Sequence, residues 1–207
     1  ENIELKKYPQ AIVNRARAWE ELFSKQRGGL TKLQAIGLMA ELNFLENQWL
    51  KNGHNLQTWK GPSGAAQDFS DGDKIIEIKV RTPSNAISVN SLEQLNRDLG
   101  MYVVTYEVYV DDKGETVNDC VFRIANSLGS NGDVFMDYVT KVGFVREKNF
   151  NSPILVENGE AYLVDESVPA LQVGDLVGLI SAKYTLDLKV CESQKISLEE
   201  FHDRLYG

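Results

Sequence analysis

A chain of 207 residues is long enough for one large domain or two small ones with a substantial core. Hydrophobic residues make up 43% and charged residues 25%, the balance of a soluble globular protein, and no apolar run approaches the roughly 20 residues that would cross a bilayer. The net charge of −8 argues against general attraction to nucleic acid or acidic membranes, while leaving room for a local basic groove inside an acidic shell.

Residues 10–26 predict an amphipathic helix, with Ile12, Ala16, Trp19, Leu22 and Phe23 near helical spacing and Gly28 and Gly29 as its stop. Thr31 with Gln34 three positions on predicts a capping box and a second helix to about Leu50. "NLQTW" and "AAQDF" predict strands separated by a "KGPSG" turn. "SDGD" predicts a tight turn into "KIIEIKVR", the clearest strand. A short strand "AISV", a short helix "SLEQLNRDLG" closed by Gly100, and a long β-branched and aromatic strand "MYVVTYEVYV" follow. Residues 116–128 and 131–142 predict two helices broken at "GSNG". Short apolar runs then fill 153–190, and "SLEEFHDRL" predicts a last helix starting at Ser197. The order predicts an α/β or α+β core. The expected divisions are an N-terminal helical segment at 1–29, a core at 30–112, and a C-terminal α+β extension at 113–207.

Cys120 and Cys191 are the only cysteines, which argues against a disulfide framework and for a reducing cytoplasm. His54 and His202 are the only histidines, too few for a multi-histidine zinc site. The chain opens at Glu1 rather than methionine, as a trimmed piece of a longer protein would.

The chemistry concentrates at "DFSDGDKIIEIKV". In a strand, Glu77, Lys79 and Arg81 share one face while Ile76, Ile78 and Val80 share the other. A hairpin through "SDGD" brings Asp68 near Glu77 or Lys79, depending on register. Two carboxylates and an ammonium then converge, a set suited to Mg²⁺ and to phosphodiester hydrolysis. The competing reading is a solvated strand face. Glu41 has Gly37, Leu38, Phe44 and Leu45 as helical neighbours, so its carboxylate calls for a metal, a lysine or a hydrogen-bond network. A tryptophan indole or the backbone would serve equally. Ser91 and Gln94 have capping-box spacing, the safer reading of Gln94. Trp59 fits either a core position or a nucleic-acid contact. Lys60, Lys74, Lys79, Arg81 and Arg97 are candidates for a basic strip.

"GLMAELNFLENQWL", "WKGPSGAAQDF", "EIKV" and "SVNSLEQL", in this order, resemble the PD-(D/E)xK nuclease superfamily. More narrowly they resemble a family of such proteins from bacterial restriction-type and phage-defence gene clusters. The resemblance is close over about residues 30–105. It implies a restriction-endonuclease-like core, a mixed β-sheet flanked by helices. It also implies Mg²⁺-dependent hydrolysis of DNA to 5′-phosphate ends, with Mn²⁺ as a substitute. By the same carry-over Glu41 matches the acid of the first core helix, Asp68 the motif aspartate, and Glu77 and Lys79 the (D/E)xK pair. Glu41, Asp68 and Glu77 would hold metal, Lys79 would orient water, and Gln94 matches the family's "SLEQL" glutamine. Gln67 stands where the superfamily name has proline. The expected partners are DNA, methyltransferase or ATPase subunits of a restriction-type system, and a second copy of the chain. The alternatives are a nuclease-fold subunit without chemistry, and an α/β protein whose charged strand is simply exposed.

Overall fold

The computed structural model describes residues 28–172, 177–178 and 181–206. The helix expected at 10–26, and most of the apolar run "LVGLI", lie outside them.

Helix α1 (Lys32–Phe44) opens on the expected capping box. Thr31 Oγ1 accepts from the Gln34 N–H at 3.4 Å, and Gln34 Oε1 accepts from the Thr31 N–H at 3.0 Å. Ala35, Leu38, Met39, Ala40, Leu42 and Phe44 are buried, so α1 runs through the core rather than over it. The helical path continues as a wide π turn (Leu45–Trp49) and a 3₁₀ turn (Leu50–Asn52), closing at Gly53 with φ 82°.

"NLQTW" is not a strand. Leu56–Thr58 form a 3₁₀ turn because Asn55 caps it, its side chain accepting from the Gln57 N–H at 3.1 Å. Only Trp59 keeps a β contact, an isolated bridge to Phe69. The "AAQDF" strand likewise shrinks to β1 (Phe69–Asp71). A two-residue turn with Gly72 at φ 64° joins it to β2 (Lys74–Val80). A positive φ at the first turn position matches the twist of the hairpin, and glycine supplies it without strain.

The remaining strands are β3 (Ala86–Val89), β4 (Tyr102–Glu115), β5 (Ile154–Leu163), β6 (Tyr184–Asp187) and β7 (Lys195–Ser197). Among the described residues one mixed sheet has the order β1-β2-β4-β5-β7, and β3 and β6 form a separate antiparallel pair. β2 and β4 are parallel and every other pairing is antiparallel. Helices α2 (Val117–Ser127), α3 (Gly132–Lys141) and α4 (Leu198–Tyr206) lie close to the predicted positions. Thr116 caps α2 by accepting from the Asp119 N–H at 3.1 Å.

Two apolar layers sandwich the sheet. Ile76, Ile78, Val104 and Tyr106 pack with α1, α2, α3 and α4. Val103 and Tyr162 on the other face pack with Ile87, Val89, Leu95 and Leu186, with Ile75 against them. A parallel β2–β4 pair needs a crossover, and this one carries β3 and two 3₁₀ turns (Leu92–Leu95 and Arg97–Leu99) in place of a helix. That crossover roofs the charged face of β2.

Candidate active site

The roof overturns the solvated-strand reading. Glu77 is 1% exposed, Lys79 9% and Arg81 7%, on a strand whose apolar face is also covered. Charged groups so placed must be paired or must change protonation.

The β1–β2 register settles where Asp68 falls. Phe69 pairs with Ile76, so Asp68 lies opposite Glu77 at the mouth of the hairpin. Its Oδ2 accepts from the Ile78 backbone N–H at 2.8 Å, fixing the carboxylate against the edge of β2. Lys79 Nζ lies 2.7 Å from Glu77 Oε1 and donates to Gln94 Oε1 at 3.0 Å. Gln94 Oε1 also accepts from the Asn90 N–H at 2.7 Å.

Ser91 and Gln94 therefore do not form the predicted capping box: Ser91 makes no side-chain cap. The buried ammonium of Lys79 recruits the Gln94 oxygen instead, because a charged donor makes the stronger hydrogen bond.

Glu41 reaches the same cleft from α1. Trp59 Nε1 donates to its Oε2 at 3.0 Å, so the indole named among the alternatives is its partner. Trp59 is 1% exposed and belongs to the core, which removes it as a direct nucleic-acid contact. Glu41, Asp68, Glu77, Lys79 and Gln94 all line one cleft of about 550 Å³. Leu33, Ile36, Gly37 and Ala40 of α1 form its apolar wall, while Ser88 and Asn90 stand on the polar side.

The electrostatics of the three acids are mutually unfavourable. Burial pushes Glu77 up to about 8, with the charge of Asp68 adding to it against the pull of Lys79. Burial likewise raises Asp68 to about 6, against the Ile78 N–H and Lys79. Glu41 is raised well above the ordinary range, first by burial and then by the charge of Asp68, while the Trp59 hydrogen bond pulls it down. Glu77 Oε2 is buried and accepts no hydrogen bond. Crowded, desolvated carboxylates with an orphaned oxygen are what a divalent cation would relieve.

Among the described residues no three Asp, Glu, His or Cys side chains are drawn together into a ready-made cage. Lys79 holds one oxygen of Glu77 and Trp59 one of Glu41. The donor set still fits Mg²⁺, which takes one or two carboxylates, keeps several waters and adds substrate phosphates.

The basic strip does not assemble. Arg81 pairs with Glu160 through Nη1 and with Glu107 Oε1 at 3.3 Å, and donates to the Asn158 carbonyl. Arg97 donates from Nε to the Val168 carbonyl at 3.1 Å and from Nη2 to that of Ala170. Lys74 lies over the Tyr206 ring at 4.8 Å, and Lys60 donates to the Gln57 carbonyl at 3.0 Å. Both arginines are structural because their partners come from segments far along the chain. Arg81→Ala is accordingly expected to cost roughly 1–3 kcal/mol in urea unfolding, since it removes the guanidinium from the Asn158 carbonyl, while Glu160 keeps Lys195 and the Tyr162 hydroxyl. An unchanged midpoint would contradict that role.

Among the described residues no helix is long and apolar enough to cross a membrane. A family model described as "Putative PD-(D/E)XK family member, (DUF4420)" matches residues 1–189, well beyond the stretch over which the resemblance is close. No curated protein and no solved structure matches the chain.

Proposed function

The chain belongs to this PD-(D/E)XK family, and from that membership we propose that it is a Mg²⁺-dependent DNA endonuclease of a restriction or phage-defence system, working in the cytoplasm. The mixed five-stranded α/β sheet flanked by helices is consistent with the restriction-endonuclease-like fold. Nucleases of this type generally use divalent metals.

The observation that carries the proposal is the meeting of Lys79 with Glu77 and Gln94 in the cleft that Asp68 and Glu41 also line. A bound divalent cation activates water and stabilises charge developing on phosphate. Asp68 and Glu77 would hold it, with Glu41 beside them. Lys79 uses one N–H on Glu77 and one on Gln94, which leaves a third for the attacking water or a phosphate oxygen. Water attacks phosphorus, the bond to the 3′ oxygen breaks, and a 5′-phosphate remains.

The test is cleavage of plasmid and linear DNA with Mg²⁺ and with Mn²⁺, comparing wild type with Lys79→Ala. The variant is expected to lose about 10²- to 10³-fold in rate. Equal rates would remove Lys79 from the chemistry, and absence of cleavage by wild type on every DNA form would favour the second reading.

That second reading is a nuclease-fold subunit acting in DNA or protein binding. The engagement of Arg81 and Arg97 with internal partners favours it, because a duplex binder should present a basic surface. It predicts affinity for a methyltransferase or ATPase subunit in place of turnover.

A further inference from the structure

We propose that the Trp59–Lys60–Gly61 turn is a positioning device that aims Glu41 at the cation site, the indole holding one carboxylate oxygen so that the other faces the cleft. The inference rests on the metal-dependent reading above and adds residues to it that make no contact with the reacting groups.

Three observations support it. Trp59 cannot swing away: it is buried, its ring lies near Phe69 at 6.5 Å and Phe135 at 6.2 Å with small interplanar angles, and its backbone bridges to Phe69. Its N–H therefore fixes Glu41 Oε2 in one place, at 3.0 Å.

Gly61 makes room for that oxygen. A Cβ on Gly61 would stand 2.6 Å from Glu41 Oε2, closer than real Cβ atoms come to a neighbour, and 3.0 Å from Trp59 Nε1, a tight contact; with the indole holding that oxygen, the carboxylate cannot simply step aside. Gly61 is not among the residues with positive φ, so the close approach, rather than the backbone conformation, accounts for glycine here.

The same turn also grips the second acid. The Lys60 and Gly61 N–H groups both donate to the Asp68 carbonyl, at 2.6 and 3.2 Å. One three-residue segment thus ties the side chain of Glu41 and the backbone of Asp68 into a single frame. Partners of this kind set how a ligating carboxylate meets its ion, and their loss typically costs about 10- to 100-fold in affinity.

The experiment is Mn²⁺ titration by calorimetry on the full chain, for wild type, Trp59→Phe, Gly61→Ala, Glu41→Gln and the Trp59→Phe/Glu41→Gln double variant. Trp59→Phe and Gly61→Ala are each expected to bind Mn²⁺ at least about tenfold more weakly. In the Glu41→Gln background Trp59→Phe is expected to add little, because the indole acts through Glu41. A role confined to the fold would subtract equally in both backgrounds. Wild-type affinity in Gly61→Ala, or additive losses across the cycle, would overturn the inference while leaving the metal centre standing. If Glu41→Gln binds too weakly to measure, or Trp59→Phe fails to fold, Gly61→Ala decides alone. No Mn²⁺ binding by wild type would overturn the metal-dependent reading, and this inference with it.

Discussion

Glu77→Gln is expected to raise the melting temperature of the metal-free protein at pH 8 and, in the same molecule, to lower Mg²⁺-dependent cleavage by roughly 10³-fold or more. The two effects have one cause. Glu77 is 1% exposed and one of its oxygens has no hydrogen bond, so an ionised carboxylate there is poorly solvated. Burial and the neighbouring charge of Asp68 hold its proton on up to about pH 8, from an ordinary 4.5. An amide keeps an oxygen for Lys79 and carries no charge to desolvate. The gain at pH 8 is on the order of a few kcal/mol, from the size of that shift. The amide cannot supply the anionic oxygen that a cation needs. A structural carboxylate would behave oppositely, since removing half of a useful ion pair destabilises. Thermal melts in EDTA and single-turnover cleavage in Mg²⁺ check both halves, and a lower melting temperature with unimpaired cleavage would defeat the assignment.

The second large effect is the pH dependence of stability, and its sign follows from the same shifts. Asp68 and Glu77 both have raised folded-state values, to about 6 and about 8. Between the ordinary values and these, the folded protein binds more protons than the unfolded chain, so stability falls as pH rises. The contribution is fully present below about pH 4 and is lost progressively up to about pH 8. Glu41, raised mainly by burial and by Asp68, acts in the same direction. In EDTA the melting temperature should therefore decline across this window, and the decline should shrink in an Asp68→Asn/Glu77→Gln variant. Saturating Mg²⁺ should lift the alkaline side most, because a ligand that binds only the folded state stabilises by mass action and prefers ionised carboxylates. A profile in EDTA that the double variant leaves unchanged would mean that these acids are not what titrates.

Much of the site can be read in the one-dimensional pattern because its parts are local. The order Glu41, Asp68, Glu77, Lys79 and the short hairpin between the last three lie within a single stretch of chain. The charged alternation of β2 is visible residue by residue. What could not be read there was which surface covers that alternation. The exposed and buried readings predict the same letters, and only the crossover through β3 and Leu92–Leu95 separates them. The cap reading of Gln94 fails for the same reason. Its spacing from Ser91 is that of a cap, and the competing donor, Lys79 Nζ, lies 15 residues away. The role of Trp59 left a usable trace, an aromatic residue two before a glycine, but the trace has meaning only beside Glu41, 18 residues distant. The strand expected at "NLQTW" failed because the Asn55 cap outweighed β propensity over so short a run.

By itself the chain determined where elements begin and turn: the Thr31 cap, the Gly72 hairpin, the β-branched run of β4, and the succession of acids with one lysine. Those features act across a few residues, so they are written in neighbouring positions. Tertiary structure alone decided that Glu77 and Lys79 are buried on the wall of a cleft and that an indole holds Glu41. It also decided that Arg81 and Arg97 serve the fold, Arg97 through carbonyls 71 and 73 residues away. Burial and long-range pairing depend on which segments meet, and the cost of desolvating a charge is set by that meeting rather than by the residue's neighbours in sequence.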